Sequence, residues 1–210
     1  MKTLLLRILT CVVTFLAGFA GVQKSHADEI VTFVDGSIGY RSNYTYGYTF
    51  TVGNSPISVS QLGIWTPTNG LTLDHEVGLW DESQNLLASV TVFGGGLSPL
   101  YPSSFSYEPI GTGPVYLNPN TTYRLGAQYY LNDPDANVVQ ATIISSPDIV
   151  FGSEYFSLTF TLGFPDQPGL FPSGSGYFGP NAEFQIVPEP TIGAIMCLGL
   201  LILARSRRAR

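Results

Sequence analysis

One histidine, His75, lies in the long middle segment of the chain, directly before the apolar run 77–80. A histidine can act as a general base or bind a metal, but a zinc site needs three or four converging ligands. A serine hydrolase also needs a serine on a strained turn between a strand and a helix, and Gly174-Ser-Gly176 lies instead in a Pro/Gly/Ser-rich segment. We therefore expect His75 to have a structural or surface role.

A second group of polar residues has the spacing of metal ligands. Asp133, Asp135 and Asn137 place an oxygen at every second position, as calcium-binding loops do. An EF-hand loop would need glycine and glutamate where Val138 and Ile144 stand. The sequence excludes an EF-hand, and it leaves two alternatives, a looser Ca²⁺ site and an Asx-rich turn.

Several carboxylates are available for general acid and base chemistry. A glycoside hydrolase needs two of them on opposite sides of a cleft, a distance that the sequence does not reveal. We treat a small glycan hydrolase as the third alternative for function. The carboxylates considered are Asp74, Glu76, Asp81, Glu82 and Glu108.

The aromatic residues suggest binding of sugars. The chain contains two tryptophans and twelve tyrosines, and an aromatic face matches the axial C–H groups of a pyranose. Trp80 lies between apolar residues of a predicted strand, so we expect it in the core. Trp65 stands beside the Thr66-Pro67 turn and is the candidate for an exposed sugar contact.

Short runs of alternating large and small side chains must position these residues. Residues 48–52 and 57–65 have the two-residue period of half-buried strands, and a break near Leu62-Gly63 predicts a bulge. We find no helical period between residues 28 and 187, so this segment is predicted to be all-β, a single antiparallel β-sandwich or jelly-roll domain. We also hypothesise that the first and last strands lie side by side. The remaining predicted strands are 29–34, 76–80, 86–93, 105–107, 115–117, 122–130, 138–145, 149–152, 155–162 and 182–187.

The charge of this segment limits its partners. Residues 28–187 contain fourteen acidic residues against two arginines, Arg41 and Arg124, for a net charge of −12. Such a surface repels phosphate backbones and argues against nucleic acid as a partner. Both cysteines, Cys11 and Cys197, lie outside the segment, so it has no disulfide framework and no thiol nucleophile.

The N-terminal residues 1–27 predict a secretory signal peptide. Lys2 and Arg7 provide the positive start, and residues 8–20 form an apolar run. Ser25-His26-Ala27 has the small-x-small pattern of a cleavage site. Cleavage after Ala27 would make Asp28 the first residue of the exported protein.

The C-terminal residues 188–210 consist of three parts. Pro188, Glu189 and Pro190 favour an extended spacer, because proline neither continues a strand nor fits inside a helix. The apolar span 192–204 predicts a short transmembrane helix of ~20 Å, against ~30 Å of hydrocarbon in a bilayer. This short length fits a segment that is later removed by cleavage better than it fits a permanent membrane anchor. An ordinary C-terminal tail anchor is the alternative. Four arginines follow and favour the cytoplasmic side, namely Arg205, Arg207, Arg208 and Arg210.

This ending resembles the PEP-CTERM sorting signal of Gram-negative bacteria. The resemblance rests on Pro188-Glu189-Pro190, the apolar span and the terminal arginines. It implies recognition by an exosortase, a membrane-embedded cysteine protease, while the precursor is tethered to the inner membrane. Cleavage near the motif would then deliver the protein to the cell surface or to the exopolysaccharide matrix.

A second resemblance covers roughly residues 45–130. The segments 48–52, 75–81 and 117–123 are similar to an extracellular β-sandwich domain of unknown function, which implies a fold but no catalytic residues. Together the two resemblances predict a non-enzymatic surface or matrix protein with a structural or adhesive role. A carbohydrate-binding module that contacts exopolysaccharide is the alternative, and no cofactor is expected apart from the Ca²⁺ considered above.

Overall fold

The structure is a computed structural model, and the segments that it describes contain β-strands as their only regular elements. All strand pairs in these segments are antiparallel, as predicted. None of them contains a helix with the length and apolar character needed to cross a membrane. The described segments are 27–34, 36–39, 43–66, 70–95, 104–135, 137–169 and 177–188.

The described segments form sixteen strands. In chain order they are β1 (Asp28–Glu29), β2 (Val31–Val34), β3 (Ser37–Gly39), β4 (Tyr44–Val52), β5 (Ile57–Thr66), β6 (His75–Asp81), β7 (Leu86–Val92), β8 (Ser104–Pro109), β9 (Val115–Leu117), β10 (Thr122–Tyr129), β11 (Asn137–Val139), β12 (Thr142–Ser145), β13 (Ile149–Ser157), β14 (Gln167–Pro168), β15 (Tyr177–Phe178) and β16 (Pro180–Ile186).

Two large sheets enclose one apolar core, which is the arrangement of a β-sandwich. The first sheet has the order β1-β16-β5-β8, and β9 also pairs with β5. The second has the order β14-β13-β4-β10-β6-β7. Two smaller sheets, β15-β11-β3 and β12-β2, complete the described part. Large side chains from both main sheets are fully buried in the core, among them Tyr48, Phe50, Leu79, Leu125, Ile57, Leu62 and Phe184.

The six-stranded sheet is also covered on its outer face, by the segment 158–166 that follows β13. Gly163 donates its amide to Thr45 Oγ1 at 3.1 Å, and Arg124 Nη1 donates to the carbonyl oxygen of Pro165 at 2.6 Å. This cover explains why nearly every residue of β10 is buried, although its side chains alternate between the two faces.

Three glycines lie side by side across β4, β10 and β6 and make room for this cover. Gly126 is paired with Gly47 on one side and with Gly78 on the other. A Cβ added at Gly78 would lie 2.4 Å from Cη2 of Trp80, so the indole ring occupies the space of the missing side chain. Trp80 is 4% exposed, which confirms that it is buried, although it packs on the outer face and not between the two sheets.

The structure changes several of the predicted boundaries, and the predicted strand 29–34 is divided into β1 and β2. The predicted strand 138–145 is two strands, β11 and β12, because Gln140 has a φ of +55° that breaks the extended chain. Instead of the two predicted strands 149–152 and 155–162, the structure has one strand, β13 (Ile149–Ser157), with a register shift between Phe151 and Glu154. The bulge in β5 lies at Ser60, because Gln61 pairs with Glu183 and Val59 with Phe184.

The hypothesis about the first and last strands is confirmed for β1, although most of the predicted first strand 29–34 forms β2 and pairs with β12. Asp28 pairs with Phe184 and Glu29 with Glu183, so β1 lies beside β16. Because the pair is antiparallel, the start of β1 and the end of β16 lie at the same end of the sheet.

Candidate functional site

His75 is fully buried at the start of β6, between two aspartates. Its Nε2 lies 3.0 Å from Oδ2 of Asp135, and its Nδ1 lies 3.8 Å from Oδ2 of Asp133. The ring of Tyr129 packs against the imidazole with 5.2 Å between the ring centroids. We refer to His75, Asp133 and Asp135 as the His75 cluster, which the sequence analysis did not bring together.

Asp133 shapes the loop that brings both aspartates to the histidine. Its amide donates to the carbonyl oxygen of Tyr130 at 3.2 Å, and Asn132 in this turn has a φ of +58°, which asparagine tolerates. Its carboxylate accepts hydrogen bonds from the amides of Tyr130 at 2.8 Å and Asp135 at 2.9 Å. The loop therefore folds around the side chain of Asp133.

Asp135 joins this loop to the segment that precedes β6. Its carboxylate accepts the amide of Thr72 at 2.8 and 2.9 Å and the amide of Leu73 at 2.8 Å. These backbone donors and the His75 ring surround a side chain that is 2% exposed. One carboxylate thus ties together two loops that are about sixty residues apart in sequence.

Both ring nitrogens of His75 lie within hydrogen-bond distance of an oxygen atom. Nδ1 lies 2.8 Å from the carbonyl oxygen of Gln128, which can only accept, so Nδ1 donates. Burial raises the pKa of Asp135, but hydrogen bonds from Leu73, His75 and Thr72 outweigh it, so the pKa lies below its ordinary value. Nε2 lies 3.0 Å from Oδ2 of Asp135, so both ring nitrogens face an acceptor oxygen.

This geometry supports a structural role for the His75 cluster. A general base and a metal ligand both need a ring nitrogen that is open to a substrate or an ion, and both nitrogens of His75 already face oxygen atoms of Gln128 and Asp135. One ligand atom from each of the three residues lies within 4.8 Å of the others, but the aspartates face opposite nitrogens of the ring. A metal ion would have to break the hydrogen bonds that hold the cluster together.

The predicted Ca²⁺ ligands are all buried, but their oxygens are used in different ways. The carboxylates of Asp133 and Asp135 accept backbone amides, as described above. Asn137 pairs with Gly39 in the small sheet, and within the described segments its side-chain oxygen and nitrogen have no hydrogen-bond partner. Calcium binding by these three residues stays a prediction.

The candidate hydrolase carboxylates are distributed over the molecule. Asp74 and Glu76 flank His75, whereas Asp81 and Glu82 lie at the opposite end of β6, ~20 Å away at ~3.3 Å per residue. Glu108 belongs to β8 in the other main sheet. Asp81 accepts a hydrogen bond from Asn85 within the β6–β7 turn, and Glu82 is paired with Arg124.

Arg124 holds the segment 158–166 against the outer face of the six-stranded sheet. It is one of the two arginines of the predicted domain, and the structure describes its side chain. Its guanidinium donates from Nε and Nη2 to the two carboxylate oxygens of Glu82 at 2.9 and 3.0 Å. It also lies over the rings of Tyr155, at 4.0 Å, and Phe164, at 4.6 Å. These contacts indicate a structural role, since the side chain is only 10% exposed and its charge is paired with Glu82.

Trp65, the predicted sugar contact, is half-buried in β5 and packs against the core. Its amide donates to the carbonyl oxygen of Gly179 at 2.7 Å. A half-buried indole retains an accessible part, and a sugar contact through Trp65 stays a prediction.

The predicted targeting residues lie at the ends of the described part. Ala27 directly precedes β1, and Pro188 is the last described residue. Glu189, Pro190 and the four terminal arginines lie outside the described segments, as does most of the predicted signal peptide.

The comparisons with known proteins assign no family. No protein-family model matches the chain, and no curated protein matches it. Among solved structures it is similar to a chain of the T13 viral particle of infectious bursal disease virus, at 13% identity and a TM-score of 0.27, over 87% of this chain and 48% of that chain. The VP2 subviral particle of the same virus gives 13% identity and a TM-score of 0.23, over 88% and 50%. The chain thus spans about half the length of these proteins, and scores this low carry no argument about function.

Proposed function

We propose that this chain is an exported, non-catalytic protein of the cell surface or exopolysaccharide matrix, with a structural or adhesive role. A signal peptide ending at Ala27 would start its export. An exosortase would then recognise Pro188-Glu189-Pro190 while the span 192–204 is held in the inner membrane.

The junction between β16 and the Pro-Glu-Pro motif carries this proposal. The amide of Val187 donates to the carbonyl oxygen of Pro56 at 2.9 Å, and the next residue is Pro188, which has no amide to donate. The folded domain therefore reaches up to the motif with no linker between them. Because β1 pairs with β16, both predicted processing sites also leave the domain at one end of the same sheet.

The state of His75 supports the non-catalytic part of the proposal. Its ring is buried, and both nitrogens lie within 3.0 Å of oxygen atoms of Gln128 and Asp135, so the ring is not accessible to a substrate. A Ser-His-Asp mechanism would need this residue, because it is the only histidine between residues 28 and 187.

Replacing Pro188, Glu189 and Pro190 with alanine tests the proposed address. We expect the variant to accumulate as an uncleaved precursor in the membrane fraction of cells that contain an exosortase, as seen by its larger size on immunoblots. Pro147→Ala, which changes an exposed proline elsewhere, is the matched control and should be processed normally. Normal processing of the triple variant would refute the proposed sorting signal.

A further inference from the structure

An open groove lies at the end of the sandwich opposite the His75 cluster. Its volume is about 600 Å³, within the ~300–1,000 Å³ of small-molecule sites. The β6–β7 turn, β9 and the turn before β10 supply its lining, so both main sheets contribute. The lining includes Asp81, Glu82, Leu87, Tyr116, Asn118 and Asn120.

The backbone around the groove is held by its own hydrogen bonds. Asp81 accepts the amides of Ser83 and Asn85 and the side-chain amide of Asn85, each at 2.9 Å. The amide of Asn118 donates to the hydroxyl of Tyr123 at 2.9 Å. Asn120 also holds the β9–β10 turn in place through its backbone amide.

Asn120 has a φ of +53°, a left-handed conformation that asparagine adopts more readily than most residues. Its amide donates to the carbonyl oxygens of Val52 and Gly53, both at 2.9 Å. The turn is therefore pinned to the end of β4, and a ligand would not have to order it on binding.

The side chains on this fixed backbone are free. Tyr116 is 68% exposed, because β9 alternates and buries its neighbour Leu117. Asn118 and Asn120 are exposed as well. Within the described segments none of these three side chains makes a hydrogen bond, so their amide groups and the phenol are available to a ligand. A groove with hydrogen-bonded walls and free side chains differs from an ordinary solvated turn.

The charge of the groove indicates which ligands it accepts. Hydrogen bonds from Asn85, its side chain first, lower the pKa of Asp81, which keeps this carboxylate ionised. Arg124 neutralises Glu82 and also donates to the carbonyl oxygen of Pro165. The groove therefore has a negative carboxylate and no free cation among its described residues, so phosphate, sulfate and uronate groups would be repelled.

We propose that this groove binds a neutral saccharide, with the ring of Tyr116 as the stacking platform and the amides of Asn118 and Asn120 as partners for sugar hydroxyls. Amide and carboxylate groups both form hydrogen bonds with hydroxyls, and an aromatic face packs against the C–H groups of a pyranose. An extended peptide would instead pair with a strand edge, and β9 offers only the three residues Val115–Leu117 for that purpose. The inference rests on the proposed adhesive function and names its ligand.

Binding can be measured with the full chain, purified in a zwitterionic detergent that carries no sugar headgroup. The probes are neutral glucose, mannose and galactose tetrasaccharides, a tetrasaccharide of uronic acids and a tetralysine peptide, each titrated by calorimetry. We expect at least one neutral tetrasaccharide to bind and the uronate not to bind. Binding of tetralysine alone, or of no probe, would overturn the proposal.

Three variants test whether the groove is responsible. Tyr116→Ala should weaken binding about tenfold or more, whereas Tyr116→Phe, which keeps the ring, should retain most of it. Phe160→Ala removes an aromatic side chain that is 76% exposed but lies outside the groove, and it should leave binding unchanged. Equal affinities of the Tyr116→Ala variant and the native chain would refute the role of the groove.

This assay needs no processing in a cell. A failure of saccharide binding therefore leaves the sorting proposal intact, and normal processing of the Pro-Glu-Pro variant leaves the groove proposal intact.

Discussion

The two ends of the sandwich use the same strands for opposite purposes. β6 runs from His75 to Asp81, and β10 runs from Thr122 to Tyr129, so each strand reaches both ends. At one end the polar groups of the His75 cluster are buried and paired with one another or with backbone amides. At the other end the backbone is paired, but exposed side chains remain free.

This difference separates polar residues that hold the fold from those that can bind. A buried polar group costs free energy unless it is paired, so the His75 cluster must satisfy itself before the protein is stable. An exposed polar group is solvated and costs little, so Tyr116 and its neighbours contribute little to folding. Asp135 and Asp81 show the contrast directly, because both accept two backbone amides but only Asp135 is buried.

The largest expected effect comes from breaking the buried end. Asp135→Ala would leave the ring of His75 and the amides of Thr72 and Leu73 buried without their partner, and we expect a loss of ~3–5 kcal/mol in the free energy of unfolding. Urea denaturation followed by circular dichroism measures this loss. Asp166→Ala, which removes an exposed carboxylate, is the control and should change stability by less than ~0.5 kcal/mol. Equal losses in the two variants would mean that the His75 cluster does not stabilise the fold.

An intermediate effect is expected midway along β6. Gly78→Ala would place a Cβ 2.4 Å from the indole of Trp80, and overpacking of this kind costs ~1–3 kcal/mol. Gly111→Ala is the matched control, because no atom lies within 4 Å of its added Cβ and its φ is not in the left-handed region. Thermal unfolding of both variants tests the close packing of Trp80, which would be contradicted by unchanged stability in Gly78→Ala.

The smallest effect concerns acid stability. The pKa of Asp135 is lower in the folded chain than its ordinary value of 3.8, so its ionised form stabilises the fold. This contribution is complete above that value and is lost as the pH falls through the lower pKa of the folded state. Between about pH 5 and pH 2.5 we therefore expect Asp135→Asn to lose less stability than the native chain.

Asp81→Asn serves as the comparison for the acid experiment. The pKa of Asp81 is also lowered, by hydrogen bonds from Asn85, but this carboxylate is solvated, so its removal should change the acid response less. Urea midpoints measured across the pH range distinguish the two variants. If both variants showed the same acid response, burial of the carboxylate would not be the cause of the acid sensitivity.

Local patterns predicted most of the strands. The alternation in residues 48–52 and 57–65 led to β4 and β5, and the apolar neighbours of Trp80 indicated that it is buried. Two errors in the strand boundaries arose at a left-handed residue and at a bulge, because neither of these backbone conformations has a periodic pattern in the sequence. The left-handed Gln140 divides a predicted strand, and the bulge between Phe151 and Glu154 was read as a break between two strands.

The two candidate sites could not be predicted, because each joins residues that are distant in the chain. His75 and Asp135 are separated by 60 positions, and their contact depends on how the loop after β10 folds over the start of β6. The predicted site residues of that loop, Asp133 and Asp135, were identified as a pattern with two alternatives, a Ca²⁺ site and an Asx-rich turn, and neither alternative included His75. In the groove, Tyr116 was one tyrosine among twelve until β9 placed it on the surface.

The sequence by itself determined the all-β class, most strand positions, the negative charge and the prediction of an exported protein, because these depend on composition, on residue period and on short contiguous motifs. Tertiary structure alone decided which polar residues are buried and which are free. That decision depends on the pairing of distant strands. Asp135 and Asp81 are the same type of residue, but Asp135 is a buried structural group in a closed loop, whereas Asp81 is an accessible carboxylate in an open groove.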